Sequence, residues 1–234
     1  MNLVLLEGAD FVAPHQVRLE GRRHRHLRKI LRVDVGDFVL VGQLDGAIGR
    51  GRVDQLDSES VVLSVELSDV PPPALPMTLV LALPRPPVLR RVLSGVSAMG
   101  VKRICLIDTE SVEKSFWQSH GISADTIREQ LMLGLEQSRD TLLPEVSLHR
   151  EFGVFVEDVL PALLDGVEGY LAHPAPARSI QSGSSPTLLA VGPEAGWTDA
   201  ERDCLTGCGL MPLGLGMRAL RVETAVPALI ARLL

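Results

Sequence analysis

Aromatic residues are scarce in this 234-residue chain: two Trp, one Tyr and five Phe, or 3% of the sequence. The first seventy residues hold only Phe11 and Phe38. Ring stacking is therefore a poor source of nucleic-acid affinity there, which leaves charge and shape. Cysteine is equally sparse. Cys105, Cys204 and Cys208 form an odd set without a tight pair, which excludes a disulfide framework and fits a reducing, cytoplasmic compartment. Cys204 and Cys208 have no second Cys/His pair nearby, so ordinary packing is preferred to zinc ligation and no metal is expected. No apolar run approaches the roughly 18–20 residues of a membrane span. Met1–Asp10 carries no basic stretch ahead of an apolar one, so neither a secretory signal nor membrane attachment is expected.

What is present is a hydrophobic share of 46% beside 22% charged residues, ordinary for a globular protein of one or two domains. The net charge of −6 hides an uneven distribution. Met1–Arg32 holds seven basic residues (Arg18, Arg22, Arg23, Arg25, Arg28, Lys29, Arg32) against Glu7, Asp10 and Glu20. Val33–Pro72 holds eight acids against Arg50 and Arg52. Two readings of the basic run stay open: a solvated helix face, or a patch that meets a polyanion.

Val70-Pro71-Pro72-Pro73-Ala74-Leu75-Pro76 lacks a run of backbone donors and reads as a stiff linker over 71–76. It separates a domain over 1–70 from one over 77–234. In the first, strands are expected at Phe38–Val41, Ala47–Val53 and Val61–Val65, with turns at Gly36-Asp37 and Asp45-Gly46 and a short helix over His24–Leu31. The unit reads as a small β-barrel. In the second, strands at Thr78–Leu83, Arg103–Ile107, Glu168–Ala172, Thr187–Val191 and Leu210–Leu213 alternate with helical patterns. These are Val88–Met99, closed by Gly100, then Ala124–Ser138, a helix opened by a Thr198/Glu201 capping box, and Thr224–Leu234 with Pro227 in its first turn. Alternation of this kind gives an α/β domain with a mostly parallel sheet covered on both faces. Ser179–Pro186 reads as a loop.

Three turn-like segments follow strands: Gly192-Pro193-Glu194-Ala195-Gly196, Leu213-Gly214, and Leu220-Arg221-Val222-Glu223-Thr224-Ala225. Backbone groups at strand ends suit a neutral heterocycle, because glycines at 192, 196 and 214 permit close approach, though plain turn formation explains them as well. Gly214–Ala219 fits the dinucleotide fingerprint in form and follows a strand, yet the sequence reaches Leu234 inside the next helix, with no further strand or acidic residue about 20 positions on. The Rossmann reading fails on that geometry.

The same segments resemble the closing motifs of the bacterial small-subunit ribosomal RNA uridine-N3 methyltransferases, of the SPOUT class. That family reads approximately GPEGG and LGPRILRTETA where this chain has GPEAG and LGMRALRVETA. Further matches are Glu136-Gln137-Ser138 with Pro144-Glu145-Val146, the Leu171–Pro174 segment, and His26-Leu27 through Leu31-Arg32 with Gly36-Asp37. They span nearly the whole chain in order. The resemblance implies an N-terminal PUA-like RNA-binding β-barrel, a SPOUT α/β domain with a C-terminal trefoil knot, and a homodimer with active sites near the subunit interface. It implies S-adenosylmethionine as cofactor, held by Leu171, His173, Gly192, Pro193, Glu194, Gly196, Leu213, Gly214 and Leu220. The reaction implied is methylation of uridine N3 in small-subunit (16S) ribosomal RNA, as free RNA or in the small ribosomal subunit.

Arg221 is expected to hold a uracil carbonyl or a phosphate, with Glu194 or Glu223 orienting or accepting the N3 proton. An internal Arg–Glu pair that fixes the turn is the competing reading. Arg18, Arg22, Arg23, Arg25, Arg28 and Arg32 are the expected phosphate contacts. Ala195, Met217 and Ala219 depart from the family pattern, the last two at a pocket wall, and the helix ending Ala98–Val101 lacks the usual acidic residue. These departures leave two rivals: a SPOUT methyltransferase for another RNA, and a non-catalytic RNA-binding or ribosome-assembly protein.

Overall fold

Short apolar runs in the first seventy residues alternate with polar ones, and that alternation builds a sheet with one face turned to a core. The computed structural model of the protein describes residues 2–174 and 185–234. Its chain divides into two compact units, 1–73 with 132–143, and 74–131 with 144–234. Residues 179–184 of the expected Ser179–Pro186 loop lie outside the described residues.

The first unit holds β1 (Val4–Leu6), β2 (Phe11–Ala13), β3 (Gln16–Glu20), β4 (Phe38–Gln43), β5 (Ile48–Leu56) and β6 (Ser60–Asp69). They form one six-stranded sheet in the order β1-β4-β5-β6-β3-β2, antiparallel except for the parallel β1–β4 pair. Val17, Leu19, Val39, Val41, Val61, Leu63 and Val65 come from alternate positions and pack with Val4 and Leu6 in one core. Leu3 and Leu5 point the other way and pack with Ile48 and with Leu135 from the 132–143 segment. β1 is thus buried on both faces, which is why its sequence shows an apolar run and no alternation. The expected helix starts earlier than its apolar spacing indicates: α1 (Gly21–His26) runs into a π-helical turn over Leu27–Leu31 and ends at Arg32 in the left-handed region (φ 53°).

The second unit contains β7 (Leu75–Ala82), α2 (Pro86–Ala98), β8 (Val101–Ile107), α3 (Ala124–Ser138, whose last turns belong to the first unit) and β9 (Glu145–His149). There follow α4 (Phe152–Val154), a π-helical turn to Val159, α5 (Leu160–Leu164), β10 (Glu168–Ala172), β11 (Thr187–Val191), α6 (Asp199–Gly207), β12 (Met211–Leu213) and α7 (Val222–Leu233). The sheet is parallel throughout in the order β12-β10-β11-β7-β8-β9. Leu75 and Pro76 belong to β7 rather than to a linker. The register slips between Leu75 and Thr78, where Pro76 has no N–H to give. Helix α7 begins at Val222, so Pro227 sits in its second turn and not, as expected, in its first. Strands β1, β2, β3 and β9 and the helical stretch from Phe152 are additions to the sequence reading. Among the described residues no helix is long and apolar enough to cross a membrane.

Candidate functional site

The parallel register brings three strand ends to one level. Leu171 lies beside Ala190, and Ala172 beside Leu213, so the chain leaves β10, β11 and β12 at neighbouring points. In open parallel sheets, ligands bind beyond the carboxyl ends of strands where the order reverses. From β7 the order extends to β8 and β9 on one side, and to β11, β10 and β12 on the other. The turns after the last three strands carry the motifs singled out in the sequence.

These turns enclose a cavity of about 230 Å³. Seven expected residues line it: His173, Gly192, Pro193, Glu194, Gly196, Leu213 and Leu220. Leu171 and Gly214 do not, though both are buried. Each glycine has its own reason. A Cβ on Gly192 would stand 3.1 Å from the indole of Trp197, so the absence of a side chain there lets the ring close on the strand end. Trp197 is held in that place by its Nε1, which donates to the Ala172 carbonyl at 3.2 Å. Gly196 needs its positive φ of 82°, closing a turn in which its N–H donates to the Pro193 carbonyl. Ala195 has no positive φ, so the alanine is accommodated without strain. The next helix is fixed by reciprocal bonds between Thr198 and Glu201, whose carboxylate also accepts from the Glu110 N–H.

Sequence reasoning missed Trp197, Gly216 and Arg218, all of which line the cavity. The Trp–Gly192 approach spans five residues and leaves no periodic trace. Met217, expected at the wall, is 76% exposed and lies outside the lining. Cys204 and Cys208, expected to be packed, are exposed. Among the described residues no group of three or more His, Cys, Asp or Glu side chains is placed to hold a metal.

A second cavity of about 570 Å³ shares Glu194, Ala219 and Leu220 with the first. Arg85, Arg91, Arg221 and Glu223 complete its polar wall. Glu194 Oε1 accepts from the Arg85 N–H at 3.3 Å and stands 3.6 Å from that guanidinium. Glu223 Oε1 accepts from Arg91 at 3.1 Å, at the N-terminus of α7 where a carboxylate is favoured. The expected alternative, an internal Arg221–Glu pair, is therefore not what forms. Arg221 is the residue just ahead of α7, exposed, and its guanidinium has no partner among the described residues. Arg221, Glu194 and Glu223 thus do come together, in the cavity beside the glycine turns.

The basic segment of the first unit divides into two groups. Arg22 makes two 2.8 Å bonds to the carboxylate of Glu136, which is 1% exposed. Arg23 makes a bidentate pair with Asp10 and also donates to the Leu5 carbonyl. Both arginines hold the unit together: Arg23 turns its guanidinium inward, with its side chain 18% exposed, whereas Arg22 keeps 45% of its side chain in solvent beside its bonds to Glu136. Arg18 shares an exposed pair with Glu20, worth little in solvent. Arg25 and Arg28 reach only carbonyls, of Gly21 at 3.4 Å and Ser58 at 3.3 Å, and Arg32 is exposed. Phe38 is exposed to 66%, and Ile30 and Leu31 are also exposed.

Residues 71–234 match the RNA methyltransferase domain family. Ribosomal RNA small subunit methyltransferase E of Treponema pallidum is 30% identical over 235 residues, covering 97% of this chain and 88% of that protein. The protein of the same name from Synechocystis is 28% identical over 233 residues, covering 95% and 75%. The crystal structure of ribosomal RNA small subunit methyltransferase E from Neisseria gonorrhoeae, bound to S-adenosylmethionine, superposes with a TM-score of 0.75 at 21% identity, covering 99% of this chain and 95% of that one. The family match over residues 71–234, together with a relative 30% identical over nearly the whole chain, places this chain in the RNA methyltransferase family, with the ribosomal RNA small subunit methyltransferases E.

Proposed function

We propose that the chain transfers a methyl group from S-adenosylmethionine to N3 of a uridine in small-subunit ribosomal RNA. The observation that carries this reading is the pair of adjoining cavities: one walled by strand-end turns and apolar side chains, the other by arginines, with Glu194 and Leu220 common to both.

The first cavity fits the cofactor by its donor set. Gly196 and Gly216 line it with positive φ, and a Cβ on either would meet no atom within 4 Å, so bare backbone faces open space there. Exposed peptide groups suit an adenine edge, and Leu213, Leu220 and Leu229 suit its faces. When bound, S-adenosylmethionine supplies an electrophilic methyl on a sulfonium, and no metal is needed.

Alkylation at N3 requires loss of the N3 proton, which leaves negative charge on the uracil O2 and O4. Arg221, without a partner among the described residues, is the group to hold one of those oxygens or the adjoining phosphate as charge develops. Glu194 or Glu223 orients or accepts the proton, each steadied by an arginine, Arg85 or Arg91. The first unit is a PUA-like module that meets RNA through Arg18, Arg25, Arg28 and Arg32. The C-terminal segment forms the trefoil knot of the SPOUT class, the working unit is a homodimer, and the protein acts in the cytoplasm.

Calorimetric titration with S-adenosylmethionine and S-adenosylhomocysteine, followed by incubation with small-subunit ribosomal RNA and mapping of the modified base, tests the reading. Saturable binding with N3-methyluridine as product is expected. A folded protein that binds neither ligand leaves an RNA-binding protein without catalysis, and a methyl group found on another base or atom overturns the N3 assignment.

A further inference from the structure

We infer that Arg218 reads the carboxylate at the methionine end of the cofactor. The inference rests on the cofactor reading above and adds to it the residue that recognises the amino-acid portion.

The cavity is chemically uneven. Its lining is apolar side chain or backbone, apart from three ionisable residues: His173, Glu194 and Arg218. The ligand proposed for it is uneven in the same way. Adenine and ribose are neutral and suit turns and leucines. The methionine end carries an ammonium and a carboxylate, and the carboxylate is the ligand's one anionic group. Of the three ionisable residues, only arginine carries a positive charge at every working pH, and its planar fork matches a carboxylate in two parallel hydrogen bonds.

Arg218 is also available. It makes no ion pair or hydrogen bond with any described residue, whereas Arg85 and Arg91 in the adjoining cavity are committed to Glu194 and Glu223. Its place in the chain supports this. It lies between the end of β12 at Leu213 and the start of α7 at Val222, two residues after Gly216, whose φ of 105° no L side chain adopts readily. That glycine turns the chain back along the cavity, so the segment from Leu215 to Leu220 contributes wall rather than continuing the strand. Arg218 is exposed on this wall and has no partner among the described residues, so its fork of donors is open to an anionic ligand group.

The test compares two ligands that differ only at the group in question. Decarboxylated S-adenosylmethionine keeps the sulfonium, adenosine and amine but lacks the carboxylate. Binding of each is measured by calorimetry to the wild-type protein, Arg218→Ala and Arg218→Lys, with thermal melts to confirm that each variant is folded. The wild type should prefer S-adenosylmethionine over the decarboxylated ligand by about 10- to 100-fold. In Arg218→Ala that preference should vanish through weaker binding of S-adenosylmethionine alone, and Arg218→Lys should restore part of it. Equal loss for both ligands would show that Arg218 shapes the cavity without reading the carboxylate, and unchanged preference would remove it from the site; either overturns the inference. Failure of the wild type to bind either ligand would instead overturn the cofactor reading itself.

Discussion

The basic segment of the first unit and the C-terminal turns of the second both display arginine, and they use it in opposite ways. Along the sequence, Arg22 and Arg23 belong to the densest positive run, yet both are turned to carboxylates of their own unit, Glu136 and Asp10. Arg218 and Arg221 stand in a stretch of no special charge, yet neither has a partner among the described residues, and each lines a cavity. Charge density marks a segment. Whether a guanidinium is offered to a ligand depends on what faces it after folding, because a paired arginine has little left to give an incoming phosphate or carboxylate.

The largest effect that would sharpen this contrast is at Arg221. Arg221→Ala should lower methyl transfer roughly 100-fold or more, as for loss of a donor to a developing oxyanion, while S-adenosylhomocysteine binding and the melting temperature stay as in the wild type. Near-normal turnover would break the comparison at its functional end. Arg23→Ala should do the reverse. Removing one partner of a mostly buried pair leaves Asp10 uncompensated, at a cost of about 2–3 kcal/mol in denaturant unfolding. A variant as stable as the wild type would return Arg23 to the pool of free cations.

Gly192→Val should cost about 1–3 kcal/mol by overpacking against Trp197, and it should weaken cofactor binding because the indole forms part of the same wall. Undiminished affinity would show that the ring and the ligand are independent. Joint replacement of Arg25, Arg28 and Arg32 by Ala should change stability by no more than about 0.5 kcal/mol. It should also reduce the salt slope of RNA binding by roughly one for each lost phosphate contact. An unaltered slope would make the whole basic segment a structural and solvated face.

The smallest effect concerns acid. The Asp57 carboxylate accepts from the Glu59 and Ser60 N–H groups at 2.8 Å, which holds its pKa below the ordinary 3.8. A carboxylate whose pKa is depressed on folding adds stability above its unfolded value, and loses it as pH falls through the folded one. Asp57→Asn should therefore flatten the acid limb of the first unit's stability profile below about pH 4 and leave the neutral region nearly unchanged. A profile identical to the wild type would show those bonds to be without consequence.

Most of the second unit was legible before folding. Ala124–Ser138, Glu168–Ala172 and Thr187–Val191 are found with the expected limits, and the Thr198/Glu201 box caps α6. Each rests on a local property: helical spacing, a continuous apolar run, or a cap whose partners lie three residues apart. The first unit was less legible, since three-residue strands such as β1 and β2 are too short to show a period. The assignment of residues 132–143 to it has no local signature at all.

The sequence by itself determined most of the second unit's strands and helices and the turns that end them, because φ preference, hydrophobic spacing and capping act over a few residues. It also singled out the glycines at 192, 196 and 214, with close approach and plain turn formation both open as reasons. Only the tertiary structure decided that the turns after β10, β11 and β12 share one cavity, since strand register in a parallel sheet is set between segments far apart in the chain. It likewise decided which arginines are held and which are free. Arg22 meets Glu136 across 114 residues and Arg91 meets Glu223 across 132, and ion pairs over such separations are chosen by packing, not by neighbours in sequence.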